Sequence, residues 1–209
     1  MLIASVNFKP GTGKTTTSGW LASAMHERHE TPPVVGVDAD RSRGWADWNQ
    51  MAAFPFPVHP CARPQADILI PELVPAGHDA VVDCPQAEDH ADIVLSVLKL
   101  ADVVIVPAST SSYELPRTLD TARFLERARQ ETGRALPAVV SLNRVDPNDT
   151  KWTWKVREDL VAAGFTVLVT EIPAHRKYIK SWGTRIKARM THYDRVLTEI
   201  RNMKLGVEG

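Results

Sequence analysis

The sequence lacks three features that mark specialised classes of protein. It carries no excess charge, because 25 Lys and Arg residues balance 25 Asp and Glu residues, and this excludes a generally basic nucleic-acid-binding coat. It has no apolar run of the roughly 18 residues that span a membrane. Lys99 and Asp102 interrupt the longest apolar stretch, residues 93–106. It has only two cysteines, Cys61 and Cys84, with no CxxC pair, so neither a disulfide framework nor a zinc site is indicated.

The N-terminus also lacks the basic region of a signal peptide, and its apolar stretch, residues 1–6, is too short for one. Hydrophobic residues make up 44% and charged residues 24% of the chain, which are values typical of globular proteins. The length of 209 residues suits one domain with a full core. We therefore expect a single cytoplasmic domain over residues 1–209. No N-terminal helix-turn-helix domain is expected, because the first predicted strand begins at Leu2.

Short runs rich in valine and isoleucine alternate with helical patterns along the chain. Strands are predicted at residues 2–6, 33–37, 79–83, 102–107, 137–142 and 165–169, and helices at residues 15–28, 87–99, 113–132, 150–163 and 187–204. The proline-punctuated stretch 54–60 is predicted to be an extended connection. Continuously apolar strands that alternate with helices are typical of a parallel sheet covered on both faces. The predicted fold is therefore a doubly wound α/β fold with a mostly parallel sheet.

A glycine-rich segment, residues 9–16 (KPGTGKTT), lies between the first predicted strand and the first predicted helix. This is the position that a phosphate-binding loop requires. Gly11 and Gly13 allow backbone N–H groups to close around phosphate oxygens, and the helix N-terminus adds its positive dipole end. Lys14 would reach the β- and γ-phosphates, and the hydroxyl of Thr15 would coordinate Mg²⁺. The segment therefore predicts binding of a nucleoside triphosphate with Mg²⁺.

The loop departs from the standard G-x-x-x-x-G-K-[ST] motif, because Phe8 replaces the first glycine and a second lysine, Lys9, opens the loop. In this it resembles the deviant Walker A motif, K-G-G-x-G-K-[ST], of the ParA/MinD ATPases. Pro10 stands where that family has its first glycine, which removes one N–H donor. The resemblance implies an ATP-sandwich homodimer in which Lys9 reaches the phosphates bound by the other subunit. Such a residue acts much as an arginine finger, which contributes about 10³–10⁵ in rate.

The second segment that fits this family is residues 34–40 (VVGVDAD), which resembles its second strand and switch I. The resemblance implies that Asp40 orients the attacking water and that Asp38 helps to hold the hydration shell of Mg²⁺. Carboxylates at the end of a strand also lie where open α/β sheets bind ligands. Arg41-Ser42 replaces the usual Pro-Gln. The alternative is that one of the carboxylates caps a helix near Trp45.

The third segment, residues 78–85 (HDAVVDCP), resembles the Walker B strand and switch II. Asp83 would bind Mg²⁺ through water, and Cys84 is interpreted as the small residue of the turn. The resemblance thus implies the metal-binding residues Thr15, Asp38 and Asp83 and the catalytic residues Lys9, Lys14 and Asp40.

Two later segments are similar to the part of the family that holds the adenine base. Asn143 and Arg144 end the fifth predicted strand, and an asparagine offers both a donor and an acceptor to a base edge, while an arginine plane can stack on a ring. The alternative is a turn asparagine followed by a surface arginine. Residues 172–174 would close the other side of the base. The implied nucleotide-binding residues are Lys9, Gly11, Thr12, Gly13, Lys14, Thr15, Thr16, Asn143, Arg144, Ile172, Pro173 and Ala174.

The neutral balance of the chain hides an uneven distribution of charge. Residues 30–100 carry 4 basic and 11 acidic side chains, a net charge of −7, whereas residues 171–209 carry 9 basic and 4 acidic ones, a net charge of +5. The basic excess is compatible with a solvated helical face or with a phosphate-binding surface. The candidate DNA-binding residues are Arg176, Lys177, Lys180, Arg185 and Lys187.

Within the family, the sequence is most similar to the small ParA type, which partitions plasmids. The resemblance implies that the ATP-bound homodimer binds DNA without sequence preference. A ParB-like or other centromere-binding partner would stimulate hydrolysis and release the dimer, so that plasmid or chromosomal DNA is segregated along the nucleoid. ATP and Mg²⁺ are the expected cofactors.

Two other classes remain open at this stage. A Min-type ATPase attaches to the membrane through a C-terminal amphipathic helix, but residues 204–209 carry little apolar surface, so no membrane contact is expected. A metabolic ATP-dependent ligase of the same fold, similar to dethiobiotin synthetase, would have no need of Lys9 at a dimer interface.

Overall fold

The computed structural model describes residues 1–28, 32–111 and 115–205. The strands are β1 (Leu2–Asn7), β2 (Val34–Asp38), β3 (Val58–Pro60), β4 (Asp79–Gln86), β5 (Val103–Ser109), β6 (Ala138–Val145), β7 (Thr166–Val167) and β8 (Ile172–Pro173). The helices are α1 (Lys14–His26), α2 (Gly44–Ala52), α3 (Ala66–Leu73), α4 (Ala91–Leu98), α5 (Leu115–Thr132), α6 (Thr150–Ala162), α7 (Arg176–Ile179) and α8 (His192–Leu205).

The strands form one sheet in the order β3-β2-β4-β1-β5-β6-β7, and β8 pairs with the far end of β6. Every ladder of this sheet is parallel. The carboxyl ends of β1, β2, β4 and β6 therefore meet at one edge of the sheet, where open α/β folds bind their ligands. The predicted α/β fold class with a parallel sheet is confirmed.

Helices cover both faces of the sheet and bury two apolar clusters. One cluster lies under α3, α4, α5 and α6, and it is largely aliphatic. The other lies under α1, α2 and α8, and it contains the buried aromatic side chains of Trp45, Trp48 and Tyr193. Gly36 in β2 permits this packing, because a Cβ atom there would lie 2.7 Å from the indole ring of Trp45. The aromatic cluster fixes α2 directly beside the end of β2.

Several elements differ from the sequence-based prediction. Residues 54–60, predicted as an extended connection, contain the edge strand β3, where Pro60 is tolerated because an edge strand has fewer ladder hydrogen bonds to make. The helix predicted at 87–99 begins only at Ala91, since β4 continues to Gln86. The last helix begins at His192 instead of residue 187. The short elements α3, α7 and β8 were not predicted, and α2 was anticipated only in the alternative that a carboxylate caps a helix near Trp45.

Candidate nucleotide-binding site

The glycine-rich loop connects β1 to α1 at the ligand-binding edge of the sheet. Gly11 and Gly13 both have positive φ, at 76° and 94°, a conformation that L side chains rarely adopt. Gly13 is the N-cap of α1, and a Cβ atom there would lie 3.5 Å from the side-chain nitrogen of Asn143. Successive turns of this kind direct backbone N–H groups into an anion-binding concavity in front of a helix N-terminus.

The side chains of this loop fit a polyphosphate. Lys14 is buried, with 7% of its surface exposed, and its Nζ donates a hydrogen bond of 3.3 Å to the carbonyl of Lys9. Burial lowers the pKa of Lys14, and the carboxylates of Asp83 and Asp40 oppose that effect. The buried hydroxyl of Thr12 has no hydrogen-bond partner within the described residues. An anion at this position would satisfy both the ammonium and the hydroxyl.

Two carboxylates lie side by side at this edge of the sheet, and one of them, Asp83, is hydrogen-bonded to Thr15. Asp38 and Asp83 are register partners in the β2–β4 ladder, and Asp83 is 1% exposed. Ser18 Oγ donates to Asp83 Oδ1 at 3.1 Å. Burial and the charge of Asp38 raise the pKa of Asp83 to about 7, against the opposing hydrogen bond from Thr15 and charge of Lys14. A buried carboxylate pair of this kind is compatible with a hydrated divalent cation, which would favour the ionised form.

The carboxylate of Asp38 caps helix α2. Its Oδ2 accepts hydrogen bonds from the backbone N–H groups of Trp45 (3.0 Å) and Ala46 (2.8 Å), and its Oδ1 accepts one from Asp40 N–H (3.1 Å). Burial raises the pKa of Asp38, and these three N–H donors lower it. The structure therefore shows the helix-capping role that the sequence left open for Asp38, and its contact with the hydration shell of Mg²⁺ stays a prediction.

Asp40 begins the loop that leads from β2 to α2. It is half-buried, and its Oδ1 accepts a hydrogen bond of 2.8 Å from the N–H of Ser42. The backbone N–H of Arg43 donates to the carbonyl of Asp40 at 3.1 Å, which closes a tight turn. Within the described residues the other carboxylate oxygen of Asp40 accepts no hydrogen bond, and the charge of Asp40 acts on Lys14.

Lys9 forms an ion pair with Glu88 of the same chain, and its ammonium also lies 5.9 Å from the centre of the Phe8 ring. The Lys9 side chain is 20% exposed in this arrangement. Glu88 lies 79 positions away in the sequence, and sequence reasoning did not identify it as a partner. Lys9 would have to leave Glu88 before it could reach the nucleotide of another subunit.

We expect Glu88→Gln to strengthen ATP-dependent dimerisation, because it removes the competing carboxylate. A partly exposed ion pair contributes about 0.2–1 kcal/mol, and a homodimer breaks one such pair in each subunit, so the dimer affinity should rise by about 2- to 30-fold. Analytical ultracentrifugation with ATP measures the effect. The matched control is Glu126→Gln, which removes an exposed carboxylate that pairs with Arg129 on α5. An unchanged or weaker dimer in Glu88→Gln would contradict the competition between the two contacts.

A cavity of about 330 Å³ adjoins the loop at the ends of β6 and β8. Its lining residues are Thr12, Gly13, Thr16, Asn143, Arg144, Ile172, Pro173, Tyr178, Ile179 and Tyr193. The first seven of these belong to the predicted nucleotide-binding set, whereas the predicted Ala174 is exposed outside the lining. The three residues from α7 and α8 were missed, because their proximity depends on how those helices pack. The size and the aromatic wall suit a purine base.

The two residues predicted to contact the base are held differently. Asn143 is buried, its Oδ1 accepts from Ser141 Oγ (3.1 Å), and its Nδ2 donates to Thr17 Oγ1 (3.2 Å). One N–H and one lone pair of the amide therefore remain for a ligand. Arg144 is exposed and donates from Nη2 to the carbonyl of Gly11 at 3.1 Å. The guanidinium thus contacts the phosphate loop.

A basic segment, residues 172–193, borders the base cavity. It contains no Asp or Glu, and its six Lys and Arg side chains are all exposed. None of the six forms an ion pair within the part of the chain that the structure describes. Trp182 Nε1 donates to the carbonyl of Gly44 (3.0 Å) and Trp48 Nε1 donates to that of Thr184 (2.9 Å), which fastens the segment to α2. The five predicted DNA-binding residues and Arg189 are these six side chains.

Two other kinds of site are absent from the described ranges. No helix there is long and apolar enough to cross a membrane. No cluster of three or more His, Cys, Asp or Glu side chains there could hold a metal ion by itself. The second result is compatible with Mg²⁺ at Thr15, because Mg²⁺ in phosphate loops takes most of its ligands from phosphate and water.

The chain is similar in sequence to the maintenance of carboxysome distribution protein A (McdA) of Halothiobacillus neapolitanus, with 28% identity over 183 residues, which are 84% of this chain and 81% of that protein. Its fold is similar to that of the cell division ATPase MinD of Pyrococcus furiosus (TM-score 0.69, 20% identity, 97% and 98% of the two chains). It is also similar to that of cobyrinic acid a,c-diamide synthase of Mycobacterium smegmatis (TM-score 0.74, 18% identity, 98% and 96%).

No family model matches the chain. The sequence is nevertheless similar to that of McdA, and the fold to that of MinD. Together with the lysine that opens the phosphate loop, these similarities confirm the resemblance that the sequence alone indicates. In fold, this chain is of the ParA/MinD-type P-loop ATPase kind.

Proposed function

We propose that the protein is a Mg²⁺-dependent ATPase that positions a cargo along DNA. In the ATP-bound state a homodimer would bind DNA without sequence preference, and hydrolysis stimulated by a partner protein would release it. The similarity to McdA, a protein named for carboxysome distribution, supports a positioning ATPase. Two surfaces support the finer steps of this cycle: the phosphate loop with its carboxylates, and the basic segment.

The first surface is the phosphate loop with its carboxylates. Lys14 and the loop N–H groups would hold the β- and γ-phosphates, while Thr15 and Asp83 would hold Mg²⁺ directly and through water. Bound MgATP supplies the phosphoryl group that water attacks. Asp40 would orient that water, and Lys9 of the second subunit would neutralise charge on the phosphates.

The basic segment is the single observation that carries the DNA-binding half of the proposal. The segment carries six exposed cations and no Asp or Glu. Such a surface suits the phosphate backbone of DNA. Backbone contacts carry no sequence information, so binding through this surface would be non-specific. A homodimer would present the surface twice. Tyr178, in the same segment, also lines the base cavity, so the nucleotide and DNA surfaces are continuous.

The experiment that tests this surface removes two of its cations. We expect the double variant Lys180→Ala/Lys187→Ala to bind random-sequence duplex DNA about tenfold more weakly with ATP. Its salt-dependence slope should fall by about 4, because the homodimer loses four lysines, each of which neutralises one phosphate of the DNA. Fluorescence anisotropy across a salt series measures both quantities. The matched control is Lys151→Ala/Lys155→Ala, which removes the same charge from the exposed face of α6. Equal DNA affinities of the two double variants would contradict the assignment.

The site does not distinguish between the two kinds of cargo, DNA and a protein compartment. Plasmid or chromosomal DNA and a protein compartment use the same ATPase cycle, since the cargo enters through the partner protein. Residues 206–209, on which the Min-type alternative depends, lie outside the described residues. The similarity to cobyrinic acid a,c-diamide synthase is one of fold. DNA binding that requires ATP separates the positioning ATPase from both alternatives.

A further inference from the structure

A second cavity, of about 530 Å³, opens beside Asp40 on the side away from the base cavity. Three segments enclose it: the loop from β2 to α2, the loop that follows β3, and one face of α3. We name it the switch cleft, since it contains the loop that resembles switch I. None of the predicted nucleotide-binding residues lines it, and of the predicted site residues only Asp40 does.

The floor of the switch cleft is apolar and rigid. Cys61 is 4% exposed, and Leu69 and Leu73 present partly buried side chains beside it. The backbone N–H of Cys61 donates to the carbonyl of Asp38 at 2.7 Å, which ties the floor to the end of β2. An apolar side chain of a ligand would gain free energy by covering this floor.

The rim of the cleft carries three exposed arginines, Arg41, Arg43 and Arg63. Within the described residues, Arg41 and Arg63 form no ion pair, and the nearest carboxylate of Arg43 is Asp47, at 3.8 Å. Arg41 stands where the family pattern has a proline directly after the switch I aspartate. The charge that Arg41 brings to this rim is therefore a departure of this chain from that pattern.

A cavity of similar size elsewhere in the molecule provides an internal comparison. It measures about 560 Å³, lies between α5 and the turn that follows α6, and is also lined by three arginines. Those arginines are each neutralised by a carboxylate of α5 at 2.6–3.3 Å. The pairs are Arg123–Asp120, Arg127–Glu131 and Arg129–Glu126. In the described part of the chain, the arginines of the switch cleft lack carboxylates at such short distances, so they can bind external anions.

We propose that the switch cleft binds a short segment of a partner protein in which carboxylates flank an apolar side chain. Arginine pairs with carboxylates bidentately, and an apolar side chain matches the floor. The volume accommodates a few side chains but not a nucleic-acid duplex. Asp40 and Glu72, which also line the cleft, would repel a continuous phosphate backbone, whereas a peptide can place its carboxylates on the arginine side alone.

Occupation of the cleft would act directly on the switch I turn. Arg43 is the N-cap of α2 with φ of 57°, a left-handed conformation that is strained for a non-glycine residue. Its N–H closes the turn onto the carbonyl of Asp40. A ligand that holds Arg41 and Arg43 would therefore shift Asp40. The effect of that shift on ATP hydrolysis rests on the proposed ATPase function, whereas the docking itself does not.

The experiment measures peptide binding without nucleotide, so that it does not depend on ATP hydrolysis. The probe is a fluorescein-labelled peptide, Gly-Ser-Glu-Glu-Leu-Glu-Glu-Ser-Gly, and its control carries lysine at each glutamate position. We expect anisotropy to show saturable, salt-sensitive binding of the acidic peptide alone. The double variant Arg41→Ala/Arg63→Ala should bind it about tenfold more weakly or worse, whereas Arg123→Ala/Arg127→Ala, with the same change in charge, should match the wild type.

Three outcomes would overturn the docking proposal. They are no saturable binding of the acidic peptide, equal loss of binding in both double variants, and displacement of the peptide by random-sequence duplex DNA with the same dependence on Arg41 and Arg63. A parallel ATPase assay separates this proposal from the proposed function. Specific peptide binding to a protein without ATPase activity would support the cleft and refute the ATPase, whereas normal ATP hydrolysis without peptide binding would do the reverse.

Discussion

Asp40→Ala should reduce ATP turnover by about 10²-fold or more while ATP binding and ATP-dependent DNA binding persist. The reason is positional: Asp40 lies at the end of β2, and its charge acts on the buried ammonium of Lys14. Among the hydrogen bonds of the described residues, its carboxylate accepts one from Ser42 N–H within its own turn, so truncation leaves the fold intact. Phosphate release under steady-state conditions measures turnover, and fluorescent ATP measures binding.

The control for Asp40→Ala is Asp159→Ala, which removes an exposed carboxylate that pairs with Lys155 on α6. It should hydrolyse ATP at the wild-type rate. If Asp40→Ala also hydrolyses ATP normally, the assignment of switch I is wrong. Loss of ATP binding together with turnover would instead give Asp40 a structural role in the site.

Lys14→Ala should lose ATP binding and, with it, ATP-dependent DNA binding. Lys14 is the buried cation of the phosphate loop, and hydrogen bonds between charged groups contribute about 1.5–3 kcal/mol. We therefore expect the affinity for MgATP to fall by about 10- to 100-fold, as measured by isothermal titration calorimetry.

Lys99→Ala is a suitable control for Lys14→Ala, because that exposed lysine pairs with Asp67 far from the loop. A thermal melt in the absence of nucleotide separates a binding defect from misfolding, since the variant also removes a cation that lies near Asp83. Wild-type affinity for ATP in a folded Lys14→Ala variant would refute the loop as the phosphate site.

The phosphate loop and most strands could be predicted because their signals are local. The glycines, the lysines and the alternation of apolar runs with helical patterns all occur within short windows of sequence. The bounds of helix α2 could not be predicted, for the opposite reason: its N-cap residue, Arg43, supplies no side-chain hydrogen bond, and the capping carboxylate, Asp38, comes from the preceding strand. Helix α3 contains Pro71, a residue that ordinarily argues against a helix.

The site itself shows the same limit. Local motifs predicted Asn143 and the loop residues as nucleotide-binding, whereas the place of Tyr193 in the lining of the same cavity depends on the packing of α8 against α1. The pairing of Lys9 with Glu88 joins two loops that no pattern connects. The sequence likewise does not predict which arginines at the switch cleft lack a carboxylate partner, because that depends on the tertiary structure around each side chain.

The measurement that tests the central claim most directly is the binding of the purified protein to random-sequence duplex DNA with MgATP, with MgADP and without nucleotide, across a salt series. The account predicts tight binding with ATP alone, which weakens steeply as salt rises. Binding that is the same in all three states would contradict the nucleotide switch. No binding in any state would contradict the DNA-based positioning function and leave the basic segment as a solvated surface.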